Sequence, residues 1–273
     1  MGMAMDKLTF GLAVLIYGIS TLYAIFLWRQ GFRRDHWVGY GLLLAGCALH
    51  TTAMVLRGFS LHHCPINNLY EAVAFISWSI VGAYVVLGLW APLRFVGAFA
   101  SPVLLCLGVF ALMPGLDVQA AKPVFSNWLR SMHATLVLVA CGSFGLSAVA
   151  GAMFLVQAHD LKFNKLRAMA KLFPPLERLE LVVNVTLITA FVLLTLGIGT
   201  GVAFARESQK APPRLDPFVI WTYTVWVFYL ALLILHWKFG QRGRRFVKAS
   251  IGGFVFIMLT FWGFYLLSPV HHP

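Results

Sequence analysis

The feature that most constrains this chain is a succession of long apolar runs, separated by short segments that hold nearly all of its charge. About 20 apolar residues in helical form cross a hydrocarbon layer roughly 30 Å thick. A membrane strand would instead alternate apolar and polar residues. The runs are continuous, so the chain reads as an all-α integral membrane protein, a bundle of about eight transmembrane helices. The predicted spans are Leu8–Trp28, Val38–Leu56, Leu69–Leu89, Phe95–Met113, His133–Gln157, Leu181–Ala205, Pro217–Trp237 and Phe246–Leu267. A short turn, Trp90–Arg94, joins the third and fourth, and the longest connections are Pro114–Met132 and Ala158–Glu180. No soluble domain is left over, so residues 1–273 read as a single polytopic membrane domain. With 60% hydrophobic and 11% charged residues, the chain has too little charge to cover a soluble surface.

The net charge of +12 does not point to nucleic acid, because the basic residues form short clusters between apolar runs rather than a stripe interleaved with aromatics. That is how orientation signals in membrane loops are arranged. One set of alternate loops holds Arg29, Arg33, Arg34, Arg94, Lys162, Lys165, Arg167, Lys171, Arg178, Lys238, Arg242, Arg244, Arg245 and Lys248. The other holds Lys7, Arg57, Lys122, Arg130, Arg206, Lys210 and Arg214. Fourteen against seven makes the first set cytoplasmic and places both termini outside. The first run is span-length and lacks a small-residue cleavage site, so it reads as retained. Of Cys47, Cys64, Cys106 and Cys141, three lie within apolar runs. No CxxC or CxxCH motif is present, so neither a zinc site nor covalent haem attachment is signalled.

Histidine is the informative residue, because polar side chains within spans are costly and a neutral imidazole can ligate iron. His50 lies well inside the second span, His236 near the inner end of the seventh, and His133 opens the fifth from outside. His271 and His272 follow the last span. Each of these could instead bond a neighbouring helix or reach toward the interface. By helical rise, His50 lies roughly 10 Å below the outer end of its span while His236 lies close to the inner end. One iron then takes both only if the helices are displaced along their axes. His36, His62, His63 and His159 fall in loops, and the adjacent His62-His63-Cys64 has no distant partners to complete a metal site.

Two helix starts stand out. Asn68 followed three residues later by Glu71 has capping-box spacing, with Glu71 expected to reach back to the cap. Asp216 before Pro217 is a strong start signal for a helix bearing Trp221, Tyr223, Trp226 and Tyr229. The outermost aromatics suit an interfacial belt, whereas Trp226 is too deep for that and is expected to face other helices. Pro174-Pro175, followed by Leu176, Glu177, Leu179 and Glu180, reads as an interfacial lead into the sixth span. No nucleophile elbow, phosphate-cradling loop or embedded carboxylate pair is evident, so no catalytic residue is assigned.

Together these motifs resemble the CcsA/ResC group of cytochrome c assembly proteins, within a haem-handling superfamily that includes HemX-like proteins. Pro65-Ile66-Asn67-Asn68-Leu69-Tyr70-Glu71-Ala72, followed by Trp78, resembles that family's P-x-x-N-L-Y-E signature. The stretch from His133 through Ser143, Ser147, Gly151 and Leu155 to Leu161-Lys162 is similar to its H…S…G…LK span. Pro174-Pro175-Leu176-Glu177-Arg178-Leu179 resembles its inner connector. Asp216-Pro217 with Trp226, Tyr229, Leu233 and His236 resembles its D-P…W…Y…LH helix. Gly240-Gln241-Arg242-Gly243-Arg244-Arg245 resembles its G-x-R-G-R-R loop, and His271 its closing histidine.

The resemblance implies haem b as cofactor, held in the membrane by His50 and His236 and at the outer face by His133 and His271. It implies an inner-membrane protein working with a CcsB/ResB-type membrane subunit and presenting haem to apocytochrome c, as a subunit of a ligation complex at most. One departure is plain. The tryptophan-rich docking segment expected just before Asp216 is replaced by Lys210-Ala211-Pro212-Pro213-Arg214-Leu215, which has no tryptophan. HemX-like members also lack it, so the alternative is a membrane regulator or scaffold of haem biosynthesis or assembly that binds a protein partner. Transport of another small molecule through the bundle is a third reading.

Overall fold

The computed structural model describes residues 2–29, 37–61, 68–117, 128–162, 175–207 and 216–267. Among them the chain forms eight α-helices and no strand: α1 (Gly2–Arg29), α2 (Trp37–Leu61), α3 (Leu69–Leu87), α4 (Gly97–Ala111), α5 (Trp128–Lys162), α6 (Leu176–Glu207), α7 (Pro217–Lys238) and α8 (Arg244–Leu266). Seven of the eight lie in segments long and apolar enough to cross a membrane; α8 opens on Arg244, Arg245 and Lys248. The result is a helical membrane bundle. Its outer surface agrees, because Leu8, Leu22, Leu196 and Leu259 point outward. A soluble protein would not expose so much apolar surface. Exposed threonines on this surface bond to their own helix, Thr51 to the Cys47 carbonyl at 2.8 Å and Thr195 to that of Phe191 at 2.8 Å. Both hydroxyls are thereby paired without water.

The helices alternate in direction. Val14 meets Gly108, Val137 meets Gly197, Gly151 meets Val247 and Trp221 meets Thr260. We call the end where α1, α3, α5 and α7 begin the upper end, and the other the lower. α1 to α4 pack on one another, and α5 to α8 do likewise. α5 joins the two groups by also packing on α3 and α4. Small residues allow this, as membrane helices gain from close backbone approach. At Gly142 an added Cβ would collide with Ser79 and sit 3.2 Å from the Ile76 carbonyl, so α3 and α5 meet nearly backbone to backbone. Lower down, Ser147 donates to the Val183 carbonyl at 3.1 Å and shares a 2.9 Å bond with Ser250, tying α5 to α6 and α8.

The boundaries differ from those predicted where polar turns are absorbed into helix. α5 begins five residues before His133, and α6 includes the lead from Leu176. The predicted turn at Trp90 becomes a 3₁₀ segment, Ala91–Val96, running directly into α4. α4 has only 15 residues and carries Pro102, which lacks the amide for a helical hydrogen bond.

Candidate functional site

Three of the four candidate histidines lie within the described residues, and each has a hydrogen-bond partner at Nδ1. His50 is fully buried, and its Nδ1 is 3.1 Å from the Tyr17 hydroxyl of α1. Phe10 sets an edge against its ring at 4.8 Å. Its Nε2 is buried without a hydrogen-bond partner among the described residues. The neighbouring Thr51 accepts from Trp78 Nε1 at 2.9 Å. Trp78 stands nine residues into α3, so His50 lies near mid-depth in the bundle.

His133 is on the first turns of α5, where its Nδ1 lies 2.7 Å from the Gly197 carbonyl of α6. Its ring rests on Gly201, where an added Cβ would come within 2.7 Å of Nδ1. His236 is buried on the last turn of α7, and its Nδ1 lies 2.9 Å from the Gln241 carbonyl. Its ring stacks on Phe246 at 4.1 Å. That carbonyl is placed by Gly240, whose φ of 62° is a left-handed turn glycine adopts without strain. The turn lets Gln241 N–H donate to the Leu235 carbonyl at 3.1 Å.

A carbonyl only accepts, so Nδ1 of His133 and of His236 must carry the proton. When the ring is neutral, Nε2 then holds the lone pair that metal binding requires. His50 and His236 are not brought together: α2 packs on α1, α3 and α4, while α7 packs on α6 and α8. His271 lies outside the described residues, as do Pro65, the His62-His63-Cys64 cluster, Pro174 and Lys210–Leu215. No three His, Cys, Asp or Glu side chains among the described residues converge as a metal-holding group. Cys47, Cys106 and Cys141 are free thiols.

Both predicted helix starts are present. Asp216 Oδ1 accepts from the amides of Phe218 at 3.0 Å and Val219 at 3.1 Å, with Pro217 at the first position. Further along, Trp226 donates to Thr195 at 2.9 Å and stacks on Phe191, facing α6 as expected. Asn68 Oδ1 accepts from the Glu71 amide at 2.9 Å. Glu71 bonds elsewhere, however: its carboxylate accepts from Arg57 Nε at 2.9 Å.

This leads to a cluster the sequence did not announce. Arg57, only 2% exposed, reaches Asp6 of α1 at 3.0 Å, Glu71 of α3 at 2.8 Å, and Asp117 just beyond α4. Lys7 bonds Asp117 at 2.6 Å, Asn68 donates to it at 2.7 Å, and the guanidinium sits over the Tyr70 ring at 4.8 Å. Burial pushes the Asp117 carboxyl up, but hydrogen bonds from Arg57 and Lys7 outweigh this and hold it below its usual range. The sequence signal was present: all these residues flank span ends on the same face. Counting them as loop charges hid their convergence. A small void lined by Phe10, Ala53, Arg57, Tyr70, Glu71 and Ala74 lies beneath the cluster, and Phe10 also touches His50.

Comparison with known proteins follows the same features. The sequence model of the family described as Cytochrome C assembly protein matches residues 66–272, which takes in His133, His236 and His271 but not His50. The chain is 26% identical over 287 residues to the cytochrome c biogenesis protein CcsA of Guillardia theta, covering 98% of this chain and 94% of that one. That alignment extends into α1 and α2. Similarity to protein HemX of Brevibacillus brevis is 24% over 265 residues, 96% of this chain and 97% of that one. With protein NrfI of Wolinella succinogenes it is 29% over 229 residues, 80% of this chain but 23% of that protein.

Proposed function

The chain belongs to the cytochrome c assembly protein family, and we propose that it is the haem-binding, haem-delivering component of cytochrome c maturation. The observation that carries this is the shared posture of His50, His133 and His236, each engaged at Nδ1 and making no hydrogen bond at Nε2 among the described residues. Haem b would supply an iron that a neutral imidazole nitrogen can ligate. The donor set fits that group: three imidazoles are oriented by second partners, and one leaves a buried nitrogen unbonded. His50 and His236 stand in different halves of the bundle. We therefore read them as ligands at separate stations in the membrane, with His133 and His271 serving the outer face. The whole chain acts as one polytopic unit in the inner membrane, its termini outside by the distribution of Lys and Arg. A CcsB/ResB-type subunit and apocytochrome c are the partners this role requires.

A second reading is favoured by one observation. Lys210–Leu215 offers no tryptophan on which haem could stack, and a HemX-type relative aligns over nearly the whole chain. On that reading the bundle regulates haem biosynthesis or assembly by binding a protein partner. The visible spectrum of the detergent-purified protein, oxidised and reduced, separates the two. A Soret band weakened by His50→Ala assigns the membrane station, and added sensitivity to His133→Ala assigns the outer one. A haem-free protein after expression with ample haem refutes the first reading and leaves the second.

A further inference from the structure

We propose that Tyr17 is a positioning residue for His50, holding the ring by its Nδ1 so that Nε2 is the ligand nitrogen; this rests on the reading of His50 as a haem ligand. Tyr17 lies in α1, before the residues the family model matches, and is fully buried. Its ring lies over Gly46, one turn before His50 in α2, where an added Cβ would approach Tyr17 Cε1 to 2.6 Å. Gly46 thus makes the room that lets the hydroxyl reach His50 Nδ1 at 3.1 Å. Phe10 closes a second side of the imidazole, with the rings inclined at 61°. The ring is pinned while Nε2 stays buried without a partner in hydrogen-bonding geometry among the described residues, although the Ala74 main chain lies close to the ring. Such an atom is costly unless it has a use.

The partner type separates this histidine from the others. His133 and His236 face carbonyls, which fix the proton on Nδ1. A phenol hydroxyl both donates and accepts. Were Nε2 to bind iron, the ring proton would reside on Nδ1 and the Tyr17 oxygen would accept a hydrogen bond from it, which would make the imidazole a stronger donor. Without a ligand, Tyr17 can donate to Nδ1 while Nε2 carries the proton. His50 is therefore the station whose hydrogen bond can reverse direction between loading and release, whereas those of His133 and His236 cannot.

The test uses the full-length protein loaded with haem, comparing wild type, Tyr17→Phe, Gly46→Ala and His50→Ala. Tyr17→Phe is expected to keep the His50-dependent absorption band but to weaken haem affinity about tenfold. It should also raise the midpoint potential, because an imidazole without an acceptor at Nδ1 donates less to ferric iron. Gly46→Ala should shift both in the same direction by displacing the Tyr17 ring. A His50-dependent band with unchanged affinity and potential in Tyr17→Phe overturns this inference and leaves His50 as a ligand. Absence of any His50-dependent band in wild type overturns both. Should Tyr17→Phe fail to fold, nitrogen-15 shifts of the wild-type His50 ring decide: a hydrogen-bonded Nδ1 supports the inference, and an unbonded one overturns it.

Discussion

Arg57 of α2 and Glu71 of α3 meet at 2.8 Å with their side chains 3% and 2% exposed, a fully enclosed ion pair at the upper end of the bundle. Removing one member of such a pair leaves a buried charge unbalanced, which typically costs about 3–5 kcal/mol. Arg57→Leu should be the more damaging change, since it strands Asp6, Glu71 and Asp117 together. Glu71→Gln keeps the shape and should cost less. Unfolding in detergent with increasing denaturant would rank the two variants.

Asp117 gives the cluster a pH dependence. Its folded carboxyl is held below the range it has in an unfolded chain, chiefly by Arg57 and Lys7 acting against burial. It therefore contributes stability above the ordinary carboxylate range, and that contribution is lost as pH falls through the depressed value. Wild-type melting temperature should drop on acidification through this window. Asp117→Asn should melt lower at neutral pH and show a flatter acid limb.

Gly201→Leu should displace His133 without breaking α6, because the added side chain would occupy the ring's place against the helix. Helical content by circular dichroism is expected to stay unchanged. The part of the haem spectrum that depends on His133 should disappear.

Gly240→Ala tests the lower end. A left-handed backbone costs a residue with a Cβ roughly 1–2 kcal/mol. The strain falls on the turn that carries the Gln241 carbonyl to His236 Nδ1. A modest loss of stability, with weakening of any absorption that His236→Ala abolishes, is the expected outcome.

The bundle was legible because lipid leaves few ways to satisfy a backbone, so span-length apolar runs become helices. Asn68 and Asp216 were legible as caps because their partners lie two or three residues away. Tertiary partners were not. Arg57 read as one basic loop residue, and nothing local reveals that Asp6 and Asp117 are carried to it by α1 and α4. Tyr17 is one aromatic among many in an apolar run, and its link to His50 spans thirty-three residues. The histidines were found for the opposite reason: a polar ring within an apolar run stands out wherever its partner lies.

The contact at Gly142 also bears on traffic. Where α3 and α5 touch almost main chain to main chain, no gap remains for a flat macrocycle to slip through at the depth of His50. On the haem-delivery reading, cargo leaving that station for His133 would have to travel around the seam, along the bilayer-facing flank or over the rim, so the seam would act as a partition that sets the route.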